Sequence, residues 1–287
     1  MRPIPKFEYH APVTLAGALE LLYELDKAKP IIGGTDLMVS MREAVCSPSH
    51  IVDLNRIPEL NYIKEEDGFI KIGATTTHAQ AASNPLTASI PALHDAVTRI
   101  GSPQIRNRGS ITGNIVNASP AADTACPLIV HDAEIMVQSV DGTNVLPIEE
   151  LFAGPKINCL EPGELVTEIR IPKPPENSNS AYKRIGRRKA FTLSVVSAAI
   201  YIQEEINVCI DAGVAFGSVA MTPLRVPEAE DMLKGEELTP GNIMEASEAV
   251  KDHVKPISDV RGTAEYRLDM CPVLMRRALQ TAMERMR

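Results

Sequence analysis

The chain has 287 residues, 44% of them hydrophobic and 23% charged, with a formal net charge of −8. That length suits two domains with full cores, the acidic balance argues against a nucleic-acid partner, and no apolar run approaches the roughly 18 residues of a membrane span. Five scattered cysteines, Cys46, Cys126, Cys159, Cys209 and Cys271, make neither a disulfide framework nor a C-x-x-C metal or cluster motif, and the six histidines lack H-x-x-x-H spacing.

Taken in chain order, Met1-Arg2-Pro3-Ile4-Pro5-Lys6 lacks the apolar core of a secretory signal, so a cytoplasmic protein is expected. Thr14 fits an N-cap for an amphipathic helix from Leu15 to Leu25, with Leu15, Leu19 and Leu22 on one face. Lys29 to Ile32 reads as a short buried strand, Gly33-Gly34 as a turn, and Thr35 as the cap of a helix reaching Met41. His50–Leu54 and Phe69–Ala74 read as strands, with Asp67-Gly68 a hairpin signal between Tyr62–Glu65 and Phe69–Gly73. A helix from Leu93 to Ile100 follows Pro91. Next come a long polar loop from Gly101 to Pro120 and a helix from about Asp123 to His131. Asp141-Gly142 marks a second hairpin between Glu134–Val140 and Thr143–Ile148, and Leu165 to Ile171 is a further strand.

Pro172-Lys173-Pro174-Pro175 and the small polar residues after it form a stiff segment that cannot join a sheet, dividing residues 1–175 from residues 176–287. Beyond it, Ser194–Gln203 and Val208–Phe216 read as strands, and Glu228–Leu233, Asn242–His253 and Ala264–Met286 as helices. The fold class is α+β.

The two glycine-rich turns carry the chemistry. The first runs Ile31-Ile32-Gly33-Gly34-Thr35-Asp36-Leu37; the second runs from Gly101-Ser102-Pro103-Gln104-Ile105-Arg106-Asn107 through Gly109-Ser110-Ile111-Thr112-Gly113-Asn114 to Asn117-Ala118-Ser119-Pro120-Ala121-Ala122-Asp123. Glycines expose backbone N–H groups that can close on a phosphate, and two such turns point to a nucleotide cofactor gripped from both sides. A dinucleotide G-x-G-x-x-G, a P-loop, a G-x-S-x-G elbow and a Cys–His pair are all unsignalled. Asp36 is a poor neighbour for a phosphate and suits a ribose or ribityl hydroxyl instead.

At these residues the chain resembles the FAD-binding medium subunit of the molybdenum hydroxylases, the group of xanthine, nicotinate, quinoline, aldehyde and carbon monoxide dehydrogenases. The resemblance covers essentially the whole chain. Besides the two turns it takes in Phe7-Glu8-Tyr9, Pro12-Val13-Thr14-Leu15, Ile72-Gly73-Ala74, Tyr182-Lys183-Arg184 with Arg187-Arg188, and Asp259-Val260-Arg261-Gly262-Thr263-Ala264-Glu265-Tyr266-Arg267. It implies an FAD-binding domain of the vanillyl-alcohol-oxidase type, built from two α+β subdomains with FAD extended between them. An α+β C-terminal domain of the carbon monoxide dehydrogenase flavoprotein type would follow.

By the same resemblance Ile32, Gly33, Gly34, Thr35 and Asp36 would bind the pyrophosphate from one side and Ser110, Thr112, Gly113 and Asn114 from the other. Asn117 and Asp123 would approach the ribityl chain and flavin edge. Leu165 and Val166 would line the isoalloxazine, and Lys183 with the basic run to Lys189 would close the site. Thr112 stands where the family commonly has glycine, and Ile32 where it commonly has alanine. No cysteine-bearing insertion for an extra 4Fe–4S cluster is present. The implied chemistry is electron relay: a large molybdenum-cofactor subunit oxidises substrate, a small subunit passes electrons through 2Fe–2S clusters to FAD, and FAD hands them to NAD+, a quinone or another acceptor, in a dimer of heterotrimers. A flavin-free scaffold ranks second and a self-contained flavoenzyme third.

Overall fold

Strand pairing sorts the described residues into three larger sheets, each with its own helical cover, and one two-stranded hairpin. The computed structural model describes residues 3–188 and 193–287. Met1, Arg2 and Lys189, the end of the basic run, lie outside the described residues.

In the first lobe, β1 (Glu8–His10), β2 (Ala28–Ile31) and β3 (His50–Asp53) form a parallel sheet in the order β1-β3-β2. Thr14 caps α1 (Leu15–Glu24) by accepting from the Gly17 amide, and the helix buries Ala18, Leu19 and Leu22 against Val52, Leu54, Ile57 and Leu60. The expectation of a buried β2 needs correction. As an edge strand it leaves Lys29 and Pro30 exposed. Nor does Thr35 cap the next helix: α2 (Leu37–Arg42) follows Asp36, whose side chain makes no capping hydrogen bond.

The second lobe is an antiparallel sheet in the order β4-β5-β10-β6-β7, made of Ile63–Glu66, Phe69–Gly73, Leu165–Pro172, Glu134–Ser139 and Gly142–Pro147. Asp67 and Gly68, at φ 55° and 79°, make the left-handed hairpin turn the sequence announces. The supposed loop from Gly101 to Pro120 instead contains two short helices. Ser102 caps α6 (Pro103–Arg106) and Ser110 caps α7 (Ile111–Val116). With α3 (His78–Ser83), α4 (Pro85–Ala88), α5 (Pro91–Arg99) and α8 (Ala125–Ile129), these cover one side of the lobe. A small hairpin, β8 (Phe152–Gly154) with β9 (Ile157–Asn158), returns the chain toward α7: the Lys156 amide donates to the Ala118 carbonyl and Asn158 Nδ2 to that of Val116.

The C-terminal sheet contains β11 (Ser178–Gly186), β12 (Ser194–Glu205), β13 (Val208–Gly217) and β14 (Leu224–Arg225), antiparallel in that order. The segment expected to stay outside any sheet thus ends β10 with Pro172 and opens β11 with Ser178, Asn179 and Ser180, leaving only residues 173–177 between the strands. Helices α9 (Pro227–Asp231), α10 (Pro240–Ala249) and α11 (Ala264–Met286) belong to this part. The helix expected to reach His253 ends its α turns at Ala249 and continues as a 3-10 turn over Val250–Asp252. Along β12 the faces alternate: Ala198, Ile200 and Ile202 join the core that contains Leu274, Met275, Ala278 and Leu279 of α11, whereas Ala199 and Tyr201 join the core of the second lobe. Burial on both faces explains the near-continuous apolar run of this strand. Bidentate pairing of Arg285 with Asp95, at 2.8 and 3.0 Å, and pairing of Arg225 with Asp132 tie the C-terminal part to the second lobe. Among the described residues no helix is long and apolar enough to cross a membrane.

Arg267 of α11 is 1% exposed, donating to Asp259 Oδ1 at 2.5 Å and to the Ser218 carbonyl at 2.8 Å. Burial works to raise the Asp259 carboxyl, but hydrogen bonds from Arg261 and Arg267 outweigh it and hold the group well below the usual carboxylate range. Arg267→Ala leaves Asp259 its bonds from Arg261 but empties a buried site and unpairs the Ser218 carbonyl, so it is expected to lower the unfolding free energy in urea by about 2–4 kcal/mol.

Candidate functional site

The two glycine turns meet. A Cβ added at Gly33 would stand 2.2 Å from the Arg108 carbonyl oxygen and 2.8 Å from Gly109 Cα, so the backbones touch where any side chain would separate them. Gly34 follows with φ +67°, a left-handed conformation that favours glycine. Gly109 is hemmed in too: its Cβ would lie 3.5 Å from Thr35 Oγ1 and 3.4 Å from His78 Cδ2. Thr35 is thus turned toward Gly109, which accounts for its failure to cap α2.

Side chains fix the turns from behind. Asn55 Nδ2 donates to the Ile32 carbonyl at 2.8 Å and to Asp53 Oδ1 at 2.6 Å, while Tyr9 donates its hydroxyl to Asp53 Oδ2 at 2.5 Å. Lys156 reaches the exposed Asp36 carboxylate at 3.3 Å. Ser110 Oγ accepts from the Gly113 amide at 2.9 Å, and Asn114 Oδ1 accepts from the Thr124 hydroxyl at 2.7 Å. Among the described residues, the amides of Gly33, Gly34, Thr35 and Asp36, and those of Ser110 and Thr112 in the adjoining turn, donate to no protein acceptor. Donors gathered from two touching chain segments, with no acceptor of their own, suit a diphosphate.

Thr112 is 3% exposed and its Oγ1 has no partner. The Thr112 side chain is therefore covered by the protein. Asn117 is half-buried at the end of α7 and its side-chain amide has no protein partner among the described residues. Asp123 is 5% exposed and fully engaged: Oδ1 accepts from the Tyr182 and Ser194 hydroxyls, both at 2.5 Å, and Oδ2 from Arg184 at 2.6 Å. Burial first, then the Asp123 charge, pushes the Tyr182 phenol well above its ordinary value, so it stays a donor. Leu165 and Val166, at 5% and 1% exposure, belong to two different cores and lend those cores their side chains. Lys183 stands on the opposite face of β11 from Tyr182 and Arg184. Burial lowers its pKa, and its charged neighbours are Asp95, Arg99, Arg285 and Glu284 rather than the turns.

Sequence reasoning missed Asn55 and His78, and singled out Lys183 of the basic run where Arg184 beside it makes the contact to Asp123. His78 opens α3, its amide donating to the Gly109 carbonyl at 2.9 Å. Burial, with Arg106 nearby, pushes its imidazole down to about 4, so the ring is neutral at pH 7, and its Nδ1 has no partner. A capping box at Thr77 and Gln80 was the available signal for this helix start.

Residues 5–174 match the model of the FAD binding domain in molybdopterin dehydrogenase, and residues 180–282 that of the CO dehydrogenase flavoprotein C-terminal domain. The chain belongs to this flavoprotein family. It is 35% identical over 281 residues to the carbon monoxide dehydrogenase medium chain of Afipia carboxidovorans, with 97% of each chain covered. A putative xanthine dehydrogenase FAD-binding subunit of Escherichia coli is 33% identical, with 96% of this chain and 95% of that one covered. Among solved structures, carbon monoxide dehydrogenase from Hydrogenophaga pseudoflava superposes with a TM-score of 0.95 at 32% identity, over 99% of both chains. The family and its mixed helix-and-strand architecture are as the sequence motifs imply.

In this flavoprotein the contact at Gly33 sets a strict limit on size. Gly33→Ala must displace backbone, and is expected to destabilise the fold by about 1–3 kcal/mol in urea. Gly241→Ala, whose Cβ would meet only Thr239 Oγ1 at 3.8 Å, is expected instead to be neutral or stabilising by up to about 1 kcal/mol.

Proposed function

We propose that this chain is the FAD-containing electron-transfer subunit of a molybdenum hydroxylase. It would take electrons from a small 2Fe–2S subunit and pass them to NAD+, a quinone or another acceptor, beside a large subunit carrying the molybdenum cofactor, in a cytoplasmic dimer of heterotrimers. The observation that carries the reading is the pair of touching turns with their unpartnered amides.

Residues 1–175 form the FAD-binding domain and residues 176–287 the C-terminal domain. Bound FAD supplies the redox chemistry, accepting two electrons and releasing them; the chain's own residues position it. The amides of Gly33, Gly34, Thr35 and Asp36 on one side, and of Ser110 and Thr112 on the other, hold the diphosphate. Ser110 keeps its hydroxyl hydrogen free to donate, because its oxygen already accepts from Gly113. Asn117 offers its free amide to the ribityl chain. The backbone of Leu165 and Val166 borders the ring site, since their side chains are taken by the cores. Asp123 acts through Arg184 and Tyr182, joining the C-terminal sheet to the rim of the site.

The test is a visible spectrum of the complex purified through a tag on this chain, with its subunits identified. Flavin absorption with molybdenum and iron–sulfur partners supports the proposal; partners without flavin, even after FAD is added, overturn it in favour of a scaffold. Flavin in a chain that never recruits partners argues for a self-contained enzyme. Asn117→Ala removes one hydrogen bond, and is expected to raise the FAD dissociation constant by roughly threefold to tenfold while leaving the urea midpoint unchanged.

A further inference from the structure

Away from the turns, the first lobe gathers a second set of chemically active side chains. Strands β1 and β3 pair in parallel with Glu8 opposite His50 and His10 opposite Val52. Residues 8 and 10 project from one face of the pleat, so this register alone sets Glu8, His10 and His50 side by side. His10 Nε2 lies 3.1 Å from His50 Nδ1, and Glu8 Oε2 lies 3.5 Å from that same nitrogen. The three candidate ligand atoms all fall within 4.8 Å of one another.

One imidazole nitrogen thus faces two acceptor-capable atoms at once. A single N–H on His50 Nδ1 cannot be directed fully at both the imidazole nitrogen and the carboxylate oxygen. A cation at the centre satisfies all three groups together. The two separations from His50, 3.1 and 3.5 Å, also fit: ligands bound to zinc at about 2.0–2.1 Å in tetrahedral array stand about 3.3 Å apart.

We propose that Glu8, His10 and His50 form a binding site for a divalent first-row transition metal, zinc being the best match, with one coordination position left to water. Two imidazole nitrogens and one carboxylate oxygen favour zinc, nickel or copper over magnesium and calcium, which require mostly oxygen ligands. Bound there, the ion would clip the three-residue edge strand β1 to the central strand β3. The inference is independent of flavin binding.

The test is isothermal titration of the full-length chain, free of any polyhistidine tag, with zinc chloride and separately with magnesium chloride. One equivalent of zinc and no magnesium should bind. His10→Gln and His50→Gln should each weaken zinc binding by roughly tenfold or more. Glu8 is exposed, so Glu8→Gln should leave the fold intact and still weaken binding measurably; this keeps the test decisive if a histidine variant misfolds. Absence of zinc binding up to about 100 µM, or unchanged affinity in all three variants, would overturn the proposal.

Discussion

Gly33 sits where the carbonyl of Arg108 leaves no room for a side chain, and the geometry of the site depends on that approach. The two lobes have separate sheets and mostly separate cores, so little else dictates how closely their turns come together. Once Gly33 and Gly109 allow the backbones to touch, the unpartnered amides on either side converge, and the surrounding polar contacts become intelligible. Asn55 anchors the Ile32 carbonyl, while Lys156 links the hairpin beside α7 to Asp36. Each holds one turn where the other needs it.

A second node lies at Asp123, and its energetics differ. The side chains of Asp123 and Arg184 are 6% and 8% exposed, and two charges taken so far out of water return little net stability even when well paired. The adhesion between the C-terminal sheet and the second lobe comes rather from Tyr182, Ala199, Tyr201 and Ala215, which share the lobe's hydrophobic core. Asp123 contributes placement. Three donors from β11 and β12 converge on one carboxylate, so those strands can take only one position against the start of α8.

Local signals in the sequence proved dependable where the structure is local. Both hairpin turns, the Thr14 cap and the full extent of the last helix are visible in short windows of residues. Even the misread loop held its own correction: Ser102 before Pro103, and Ser110 three residues before Gly113, are helix starts of only one turn or so, too short for a periodic pattern to register. The errors at β2 and Thr35 are of another kind. Lys29 is exposed because β2 ends at the edge of its sheet, and Thr35 is diverted by Gly109, a residue in the other lobe. For the site, the glycine turns were legible as chemistry while their contact was not. The partners of Asp123 lie 59, 61 and 71 residues further on, and the grouping of His10 with His50 requires a parallel pairing across 40 residues. No spacing rule reaches that far.

Burial fixes the protonation state of three reactive side chains near the turns. His78 adjoins Gly109, but burial pushes its pKa down to about 4, far from the pH at which a general acid or base is most effective. Cys126 is pushed up to about 12, by burial first and then by the Asp123 charge, so its sulfur is a thiol and a poor nucleophile at neutral pH. Tyr182 is likewise confined to the neutral form. Three groups that could perform proton or nucleophilic chemistry are each moved away from the pH at which they would react. Proton and nucleophilic chemistry from these three groups is therefore suppressed, while the backbone donors of the two touching turns stay open to an anionic cofactor.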